Sequence, residues 1–308
     1  MYTNNEILLI RDLEKCNYEY LIAKENEKKY LRKSRVDYKR FKSSLGFIRL
    51  KRKYLKLYNV DTYPSTVNEL GWNNEKADRC LFMRFDKKIV VYTCISGKYD
   101  CGSEPRFTLN PNITYVMYTN QNIKSDIWEI RPIPDSLSHL NDVQKNRYLK
   151  MHPHEFFEEY DYSIYIDGNV QVISDMSGLV NVIDDSVGFA MHTHFIRDCI
   201  YQEAVACQTL KKGNAQGITD DVNRYLRERF PRHFGLLECT VFATDLHSDD
   251  SKELFDEWWN EFQISKSSRD QLSLPVVLWR NGVSIEKCGT MGNNLYRNPK
   301  FRVLSHIK

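Results

Sequence analysis

The clearest chemical feature of this sequence is an acidic side chain placed directly after a buried apolar run. Residues 162–166 are apolar or aromatic apart from one serine, and Asp167-Gly168-Asn169 follows them. A carboxylate at the end of a strand in an α/β sheet lies where such sheets bind ligands, and it can hold a hard cation that neutralises phosphates. Asp-Gly between apolar runs is also the strongest hairpin signal, so a simple turn is an equal alternative.

A loop of small and polar residues follows the first predicted strand. Residues 88–95 form an apolar run, and residues 96–100 (Ser-Gly-Lys-Tyr-Asp) come directly after it. The loop has neither G-x-G-x-x-G nor P-loop spacing, which argues against a dinucleotide oxidoreductase or an NTPase. Tyr99 could stack on a nucleotide base, and Asp100 could accept a hydrogen bond from a sugar or base edge.

Cationic side chains lie close together on the helix predicted to precede Asp167. This helix, over residues 142–157, carries Lys145, Arg147 and Lys150, and His154 follows them. Guanidinium and ammonium groups on one face can bind a diphosphate. The alternative is a helix face that simply contacts solvent.

Three carboxylates could act as an acid or a base: Glu203 on a predicted helix, Glu238 at a strand start and Asp270 at a helix start. The alternative is a surface position or, for Asp270, a charge that complements the helix dipole. His192 and His194 alternate at a strand end and point to opposite sides, so we expect one of them to face a site. The sequence has no H-E-x-x-H or zinc-finger spacing, which argues against a zinc hydrolase.

Strands and helices alternate along the body of the chain. This order predicts an α/β fold with a mixed, largely parallel sheet flanked by helices. Thr219 and Asp220 are candidate N-caps. The predicted strands cover residues 88–95, 113–119, 162–166, 187–191, 238–243 and 283–288, and the predicted helices cover 142–157, 197–210, 219–230, 249–262 and 268–279.

The formal net charge of +3 is unevenly distributed. Residues 1–58 hold 16 Lys and Arg against 7 Asp and Glu, a net of +9, and the rest of the chain carries −6. Basic and apolar residues alternate there at helical spacing, which is typical of helices on anionic membrane surfaces and of helices that pack or self-associate; we do not expect nucleic acid as a partner. We predict a basic helical arm over 1–60, a linker over 61–85 and the main domain over 86–308.

The composition indicates the cellular compartment of the protein. No apolar stretch approaches the roughly 18–20 residues needed to span a bilayer, and the first residues lack an apolar signal segment. The eight cysteines form no C-x-x-C pair and several lie in apolar runs, which favours free buried thiols in a reducing compartment. We therefore expect a cytoplasmic protein, with peripheral membrane attachment through the arm.

Several stretches between residues 88 and 282 resemble one known family. They are, in order, Val91 to Asp100, Arg147-x-x-Lys150-x-x-x-His154, Tyr162 to Asn169, His194-x-x-Arg197 with Glu203-Ala204, Glu238-Cys239, and the run Ser268-Arg269-Asp270-Gln271-Leu272-Ser273. In this order they resemble a family of glycosyltransferase-like proteins long classified as a domain of unknown function. Its plant members act in pollen-tube turgor and seed mucilage. More broadly, the pattern is similar to the GT-A glycosyltransferase plan.

The resemblance implies a GT-A-like fold and a hexosyltransferase-like activity. Such an enzyme would move a sugar from a nucleotide-diphosphate sugar to a glycan or lipid-linked acceptor, in surface polysaccharide synthesis. Asp167 and Asn169 would hold Mn²⁺ or Mg²⁺, and Asp270, or less favourably Glu238, would face the acceptor hydroxyl. That carboxylate would act as the base if the reaction inverts the anomeric configuration, whereas a retaining reaction needs no dedicated base, and the sequence does not distinguish the two. The implied donor-binding residues are Ser96, Tyr99, Asp100, Arg147, Lys150, His154, Asp167, Asn169, His194, Arg197, Glu203 and Gln271.

Asn169 is a departure from the wider GT-A pattern, which has a second aspartate at that position. A neutral amide oxygen predicts a weaker metal site, or one completed through water. It also leaves open a non-catalytic nucleotide-sugar-binding or glycan-binding protein on the same fold. Two further alternatives are a hydrolase, because some plant relatives carry a ceramidase label, and a glycosidase, which needs two facing carboxylates.

Overall fold

The computed structural model describes residues 79–80, 82–97 and 100–306 of the chain. The predicted arm over 1–60 and most of the predicted linker over 61–85 lie outside these residues. In the part described, six strands form a central sheet and two short strands form a second one. The strands are β1 (Ile89–Ile95), β2 (Ile113–Thr119), β3 (Glu129–Pro132), β4 (Tyr162–Ile166), β5 (Val170–Val172), β6 (Phe189–Thr193), β7 (Leu237–Asp245) and β8 (Phe301–Val303).

The central sheet has the strand order β3-β2-β1-β4-β7-β6. Strands β1 to β4 are mutually parallel, and β7 is antiparallel to both of its neighbours, β4 and β6. Five of the six strands therefore run in one direction, which confirms the predicted mixed, largely parallel sheet. Their carboxyl ends meet at one edge together with the beginning of β7, and we call this edge the site edge.

Helices flank the sheet and account for the buried character of its strands. All seven residues of β1 are buried, as expected for a parallel strand covered on both faces. The main apolar cluster joins this strand to aromatic residues of a long helix, among them Phe255 and Trp258. The helices are α1 (Asp142–Met151), α2 (Pro153–Phe156), α3 (Ile200–Thr209), α4 (Ala215–Arg227), α5 (Asp249–Ile264), α6 (Asp270–Arg280) and α7 (Ile285–Cys288).

The Asp-Gly-Asn segment joins two sheets, so the hairpin alternative is wrong. Strand β4 lies between β1 and β7 in the central sheet, whereas β5 pairs with β8 in the second sheet. The backbone of Gly168 does not adopt a positive φ angle. Glycine is needed there for space, because a Cβ would lie 3.0 Å from Ile95 and 3.3 Å from Asp100.

Several predicted boundaries are wrong for local physical reasons. The helix predicted over 142–157 is broken at His152, because the residue before a proline avoids helical backbone angles and Pro153 follows. Helix α4 begins earlier than predicted, and its N-cap is Asn214, whose side chain accepts from the Gly217 amide. Thr219 and Asp220 therefore lie within the helix instead of capping it.

The last predicted strand, over 283–288, is also wrong. Residues Ile285–Cys288 form one helical turn whose first and last side chains are buried. A short apolar run of this kind fits a buried strand as well as a helical turn, so its sequence does not distinguish them. The actual last strand is β8, which the sequence reading missed together with the partly exposed edge strand β3. Both are only three or four residues long, too short to give a clear periodicity.

The seven described cysteines are free thiols, six of them buried and Cys101 exposed. Among the described residues, no helix combines the length and the apolar character that a bilayer crossing requires.

Candidate active site

Helix α1 is held over the carboxyl end of β1 by hydrogen bonds to the strand. It begins with a capping box, in which the side chains of Asn141 and Gln144 bond to each other's backbone amides. Further along, Asn146 Nδ2 donates to the Cys94 carbonyl at 2.6 Å, and the Tyr92 hydroxyl donates to the Lys150 carbonyl at 3.1 Å. These bonds fix the part of the helix that carries Arg147 and Lys150.

Lys150 is at the centre of a buried group of charges. Its side chain is 1% exposed, and its Nζ lies 2.7 Å from Asp270 Oδ2 and 3.9 Å from Asp167 Oδ1. Arg147 Nε lies 3.0 Å from the same Asp270 oxygen, although without hydrogen-bond geometry. We call Arg147, Lys150, Asp167 and Asp270 the Lys150 cluster. The structure thus brings together four of the predicted site residues from α1, the end of β4 and the start of α6.

Aromatic rings complete the surroundings of the Lys150 ammonium. It lies 4.9 Å from the ring centroid of Tyr165, with the rings of Phe242 and Trp258 at 5.9 and 5.8 Å. A cation over aromatic faces gains electrostatic stabilisation when it is removed from water. The buried ammonium is therefore stabilised by ring faces as well as by carboxylates.

Asp270 is an anion enclosed by cations. Burial alone would raise its pKa, but the positive charges of Arg147 and Lys150, with Arg269 beyond them, lower the pKa below its ordinary value. Its backbone carbonyl accepts from Trp258 Nε1 at 3.0 Å. A carboxylate with a lowered pKa is a weak proton acceptor, so this environment favours a charge-balancing role over that of a base. The predicted catalytic role of Asp270 has no support from its surroundings.

The loop before Asp270 is fixed by one buried carboxylate. Asp221 of α4 accepts from the Ser265 hydroxyl at 2.5 Å and from the Ser267 amide at 3.1 Å. The Ser267 hydroxyl in turn accepts from the Arg269 amide at 3.2 Å. These bonds hold the turn that begins α6, and hence the position of Asp270.

Asp167 is the member of the Lys150 cluster most open to a ligand. Its side chain is 31% exposed, and its Oδ1 accepts from the Tyr165 hydroxyl at 3.0 Å. That hydroxyl accepts in turn from Asn146 Nδ2 at 3.3 Å. One carboxylate oxygen is thus oriented by a chain of hydrogen bonds that starts on α1, while the carboxylate stays accessible.

The loop after β1 lies beside the Asp-Gly-Asn segment. Ser96 Oγ donates to Asp142 of α1 at 2.5 Å, and Asp100 is buried against Gly168. Asp100 Oδ2 lies 2.9 Å from His306 Nδ1, which brings the C-terminal segment to the same edge. Tyr99, the predicted base-stacking residue, lies outside the described residues.

The Asp-Gly-Asn oxygens suit a cation site completed by the ligand itself. Asn169 Nδ2 donates to the Leu304 carbonyl at 2.8 Å, so its oxygen is the atom that could face an ion. Within the described residues, no three His, Cys, Asp or Glu side chains are grouped as metal ligands. Mg²⁺ is commonly bound by one or two carboxylates together with substrate phosphates and water. Asp167 and Asn169 fit that kind of site.

A second cluster lies at the site edge, where β6 ends and β7 begins. His194 Nε2 is 3.6 Å from Glu203 Oε2 and 3.6 Å from Glu238 Oε1. Arg197 Nε donates to Glu203 Oε2 at 2.5 Å, and Gln271 Nε2 donates to Glu238 Oε2 at 3.2 Å. We call these five residues the Glu238 cluster. His192 is buried elsewhere and bonds to Asn298, which confirms that only one of the two histidines faces the site.

The charges of the Glu238 cluster shift the protonation of two members. Burial and the nearby negative charge of Glu203 raise the pKa of Glu238 to about 7, although Gln271, Arg197 and Lys212 act against this. Burial lowers the pKa of His194, and the charge of Glu203 offsets this only in part. At neutral pH the cluster therefore holds a neutral imidazole and a carboxyl group close to its titration midpoint.

The start of α6 links the two clusters. Asp270 reaches the Lys150 cluster, and its neighbour Gln271 reaches Glu238 and also bonds to the Leu237 carbonyl at 2.9 Å. The buried thiol of Cys239 lies within the electrostatic reach of Asp270, Lys150 and Glu238. The site therefore has a side rich in cations and a side rich in carboxylates.

His154 is a predicted site residue that the structure groups neither with the two clusters nor with the loop after β1 and the Asp-Gly-Asn segment. Its ring lies 5.9 Å from that of His152, which packs against Trp259 of α5. The charges that influence its protonation are Asp256, Glu155 and Lys252. In the described part of the chain these contacts lie along α2 and α5, and the predicted donor contact stays a prediction.

Three contributors to the site were missed in the sequence. Asn146 and Tyr165 orient Asp167, and His306 contacts Asp100. Tyr165 lies inside an apolar run, where its hydroxyl gives no separate signal. Asn146 was recognisable only as a neighbour of Arg147, and His306 belongs to no motif.

A cavity of about 430 Å³ lies at the opposite edge of the central sheet. It is lined by Arg79 and Arg84, by Tyr162 at the start of β4 and by Asp245 at the end of β7. None of the predicted site residues lines it. The two clusters at the site edge, where polar residues from several strand ends converge, are the stronger candidate site.

Two solved structures have a distant similarity to the chain. In structure, the chain is similar to the bifunctional glycosyltransferase WbbM (TM-score 0.39, 13% identity, 63% of this chain and 38% of WbbM). It is also similar to the mannosyltransferase Ktr4p from S. cerevisiae (TM-score 0.35, 9% identity, 63% of this chain and 66% of Ktr4p). The chain thus spans less than two thirds of either protein.

The sequence itself gives the more specific match. No curated protein matches the chain. The family model of the TOD1/MUCI70 glycosyltransferase-like domain matches residues 62–306, which is most of the chain. This confirms the family resemblance expected from the sequence. The chain belongs to the TOD1/MUCI70 family of glycosyltransferase-like domains.

Proposed function

We propose that this domain transfers a sugar from a nucleotide-diphosphate sugar to a hydroxyl group of a glycan or lipid-linked acceptor, in the synthesis of a surface polysaccharide. The observation that carries the proposal is the Lys150 cluster. At the site edge of a largely parallel sheet, Lys150 of α1 lies between the partly exposed carboxylate of Asp167 and the buried carboxylate of Asp270, and Arg147 of α1 also contacts Asp270. Membership of a glycosyltransferase-like family supports it.

The donor diphosphate would bind between the Lys150 cluster and the Asp-Gly-Asn segment. Asp167 and the Asn169 oxygen would hold Mg²⁺ or Mn²⁺, which would neutralise phosphate charge. Lys150 and Arg147 are already paired with Asp270, so they attract the diphosphate less strongly than free cations. Their buried positions make this charge preorganised, and it needs no rearrangement when negative charge grows on the leaving group.

The nucleoside would lie along the loop after β1. The Ser96 hydroxyl is bonded to Asp142 of α1, and Asp100 contacts His306, so these two described positions of the loop are preorganised. Tyr99 stays the proposed stacking residue. The sugar would extend from the diphosphate toward the Glu238 cluster, with His194, Arg197 and Glu203 at its far end.

The proposal also places the protein at a membrane surface. The basic arm over residues 1–60 would attach the protein to an anionic membrane on its cytoplasmic face, where a lipid-linked acceptor is available. The arm lies outside the described residues, and its charge pattern is the support for this step.

A non-catalytic nucleotide-sugar-binding protein is the second candidate. It is favoured by Asn169, whose amide nitrogen is bonded to the Leu304 carbonyl and whose oxygen is a neutral ligand. Binding without turnover would indicate this function. Release of nucleoside diphosphate would indicate a transferase.

A thermal-shift screen tests donor binding. A panel of UDP-, GDP- and other nucleotide sugars is tested with and without Mn²⁺, since a ligand of the native state raises the melting temperature. We expect one donor to stabilise the wild-type chain, and Lys150→Met to abolish that shift. Arg227→Met, an exposed cation on α4, is the matched control. If no nucleotide sugar shifts the wild type, the proposed function is wrong.

A further inference from the structure

The Glu238 cluster has two carboxylates placed around one imidazole. Glu203 and Glu238 lie on opposite elements, α3 and β7, and each has an oxygen 3.6 Å from His194 Nε2. All three side chains are at least nine-tenths buried. A buried carboxylate pair costs free energy unless counter-charges or a shared proton compensate it. The contacts of each carboxylate show which of the two is compensated.

His194 is fixed in one tautomer. Its Nδ1 accepts from the backbone amides of Ile196 at 3.1 Å and Arg197 at 2.9 Å, so that nitrogen carries no proton. Arg197 Nη2 also lies 3.2 Å from Nε2, but two backbone donors at Nδ1 outweigh this single contact, and Arg197 has Glu203 as its partner. The proton of the neutral ring is therefore on Nε2, the atom that faces both carboxylates. His194 separates the two acids and cannot itself accept a proton at Nε2 from a substrate.

Glu203 is the compensated carboxylate. Arg197 Nε donates to its Oε2 at 2.5 Å, and the Cys207 thiol donates to its Oε1 at 3.2 Å. Glu238 receives a side-chain hydrogen bond from the uncharged amide of Gln271 at 3.2 Å. Glu203 is thus the carboxylate with a cationic partner, and Glu238 is the carboxyl group whose pKa is raised.

The groups around Glu238 come from every element packed on it. They are His194 and Arg197 from the loop after β6, Glu203 from α3, Lys212 from the loop after α3, Gln271 from α6 and Tyr296 from the short 3₁₀ turn Leu295–Arg297. Burial and Glu203 outweigh the cations, and the pKa of Glu238 rises to about 7. A general base is most effective with a pKa near the working pH.

An exposed aromatic ring lies beside this cluster. Tyr296 is 65% exposed overall, yet partial burial and the charges of Glu238 and Glu203 raise the pKa of its hydroxyl. Its backbone is fixed, because its amide donates to Asn294 Oδ1 at 3.1 Å and the preceding Leu295 is buried. Exposed Phe195 and Ile196 follow His194 on the neighbouring loop. A tyrosine on a fixed backbone offers a ring face and a hydroxyl to a sugar ring.

We propose that the Glu238 cluster is the acceptor subsite of the enzyme, with Tyr296 as the platform for an acceptor sugar and Glu238 as the group that removes the proton from its reacting hydroxyl. This inference rests on the proposed function and assigns the acceptor as a carbohydrate. It moves His194, Arg197 and Glu203 from the donor side of the site to the acceptor side, and it makes Glu238, not Asp270, the base.

The proposed sugar transfer is a single displacement. The acceptor O–H bond breaks and its proton passes to a Glu238 oxygen, while the acceptor oxygen forms a bond to the anomeric carbon of the donor sugar. The bond between that carbon and the diphosphate breaks, and the electron pair leaves with the nucleoside diphosphate. Attack from the face opposite the leaving group inverts the anomeric configuration. The protonated Glu238 then returns its proton to water.

The test measures nucleoside diphosphate release with the donor found in the screen and with methyl glycosides as acceptors. Glu238→Gln should lower kcat at least 100-fold and leave the donor-induced thermal shift intact. Tyr296→Ala should raise the acceptor KM with little change in the donor KM. Glu286→Gln, an exposed carboxylate on α7, is the matched control, and the melting temperature of each variant shows that it is folded.

The pH dependence of the activity distinguishes a catalytic Glu238 from a merely structural one. Activity should rise with pH through the pKa of Glu238, since only the carboxylate accepts a proton. Glu203→Gln removes the like charge and should shift this limb to lower pH. If the wild type turns over the donor and Glu238→Gln does so equally well, the inference is wrong and the proposed function still stands. A wild type that turns over no nucleotide sugar contradicts the proposed function and the inference with it.

Discussion

Lys150 Nζ lies 2.7 Å from Asp270 Oδ2, although 120 positions separate the two residues in the chain. The bond joins α1, which packs on β1, to the first residue of α6, and both side chains are buried. Breaking a buried ion pair from one side leaves an uncompensated charge, which is far more costly than replacing both partners. The pair therefore links α1 to the start of α6, which also carries Gln271 of the Glu238 cluster.

A double-mutant cycle tests that link. We expect Lys150→Met and Asp270→Asn each to lower the free energy of unfolding by about 3–5 kcal/mol, because each leaves a buried charge with fewer partners. The double variant should lose much less than the sum of the two. Urea unfolding of the three variants measures this coupling. Additive losses would show that Lys150 and Asp270 do not stabilise each other.

The raised pKa of Glu238 predicts a stability that falls with pH. The folded state binds the proton more tightly than the unfolded state, whose pKa is near 4.5. Its contribution is therefore fully present below that value and is lost as the pH rises through about 7.

Glu238→Gln removes this dependence. Relative to wild type, the variant should gain roughly 2–3 kcal/mol of stability between pH 5 and pH 8.5. Urea unfolding at both pH values measures the gain, with Glu286→Gln as the exposed control. A difference that is the same at both pH values would mean that the carboxyl group titrates normally.

Tyr165→Phe tests the orientation of Asp167. The variant removes the hydroxyl that donates to Asp167 Oδ1 at 3.0 Å and leaves the ring beside Lys150. A hydrogen bond to a charged group contributes about 1.5–3 kcal/mol, so turnover should fall roughly 10- to 100-fold. Tyr201→Phe, which loses a bond to the Phe230 carbonyl, is the matched control. Unchanged turnover in Tyr165→Phe would show that Asp167 needs no orientation.

The sequence was sufficient to locate the site edge but not to pair its residues. Alternating strands and helices predict a largely parallel sheet, and in such a sheet Asp167, His194 and the loop after β1 must lie at one edge. Glu238 joins them because β7 is antiparallel, a direction that no local pattern gives.

Long-range contacts and overlapping periodicities explain what was missed. The bond between Lys150 and Asp270 and the contact of His306 with Asp100 depend on packing between distant elements. The Tyr165 hydroxyl is hidden in an apolar run. The buried pair Ile285 and Cys288 fits one helical turn as well as a strand, and this ambiguity caused the error at 283–288.

Removal of the basic arm tests the proposed membrane attachment. Near an anionic surface each basic residue contributes about 1 kcal/mol, screened by salt. The full chain should sediment with anionic liposomes at low salt, and a chain lacking residues 1–60 should not, while both should bind the nucleotide sugar. If neither sediments, the arm has another role, and analytical ultracentrifugation of the same samples would show whether it joins subunits.

The most direct test of the central claim is nucleoside diphosphate release from the nucleotide-sugar panel by wild type and Asp167→Ala in the presence of Mn²⁺. Asp167 is partly exposed, so its loss should leave the melting temperature nearly unchanged. The account predicts that wild type turns over one donor and that Asp167→Ala loses at least about 100-fold of that activity. Equal turnover by the two proteins, or none by wild type, would contradict a glycosyltransferase site at the Lys150 cluster.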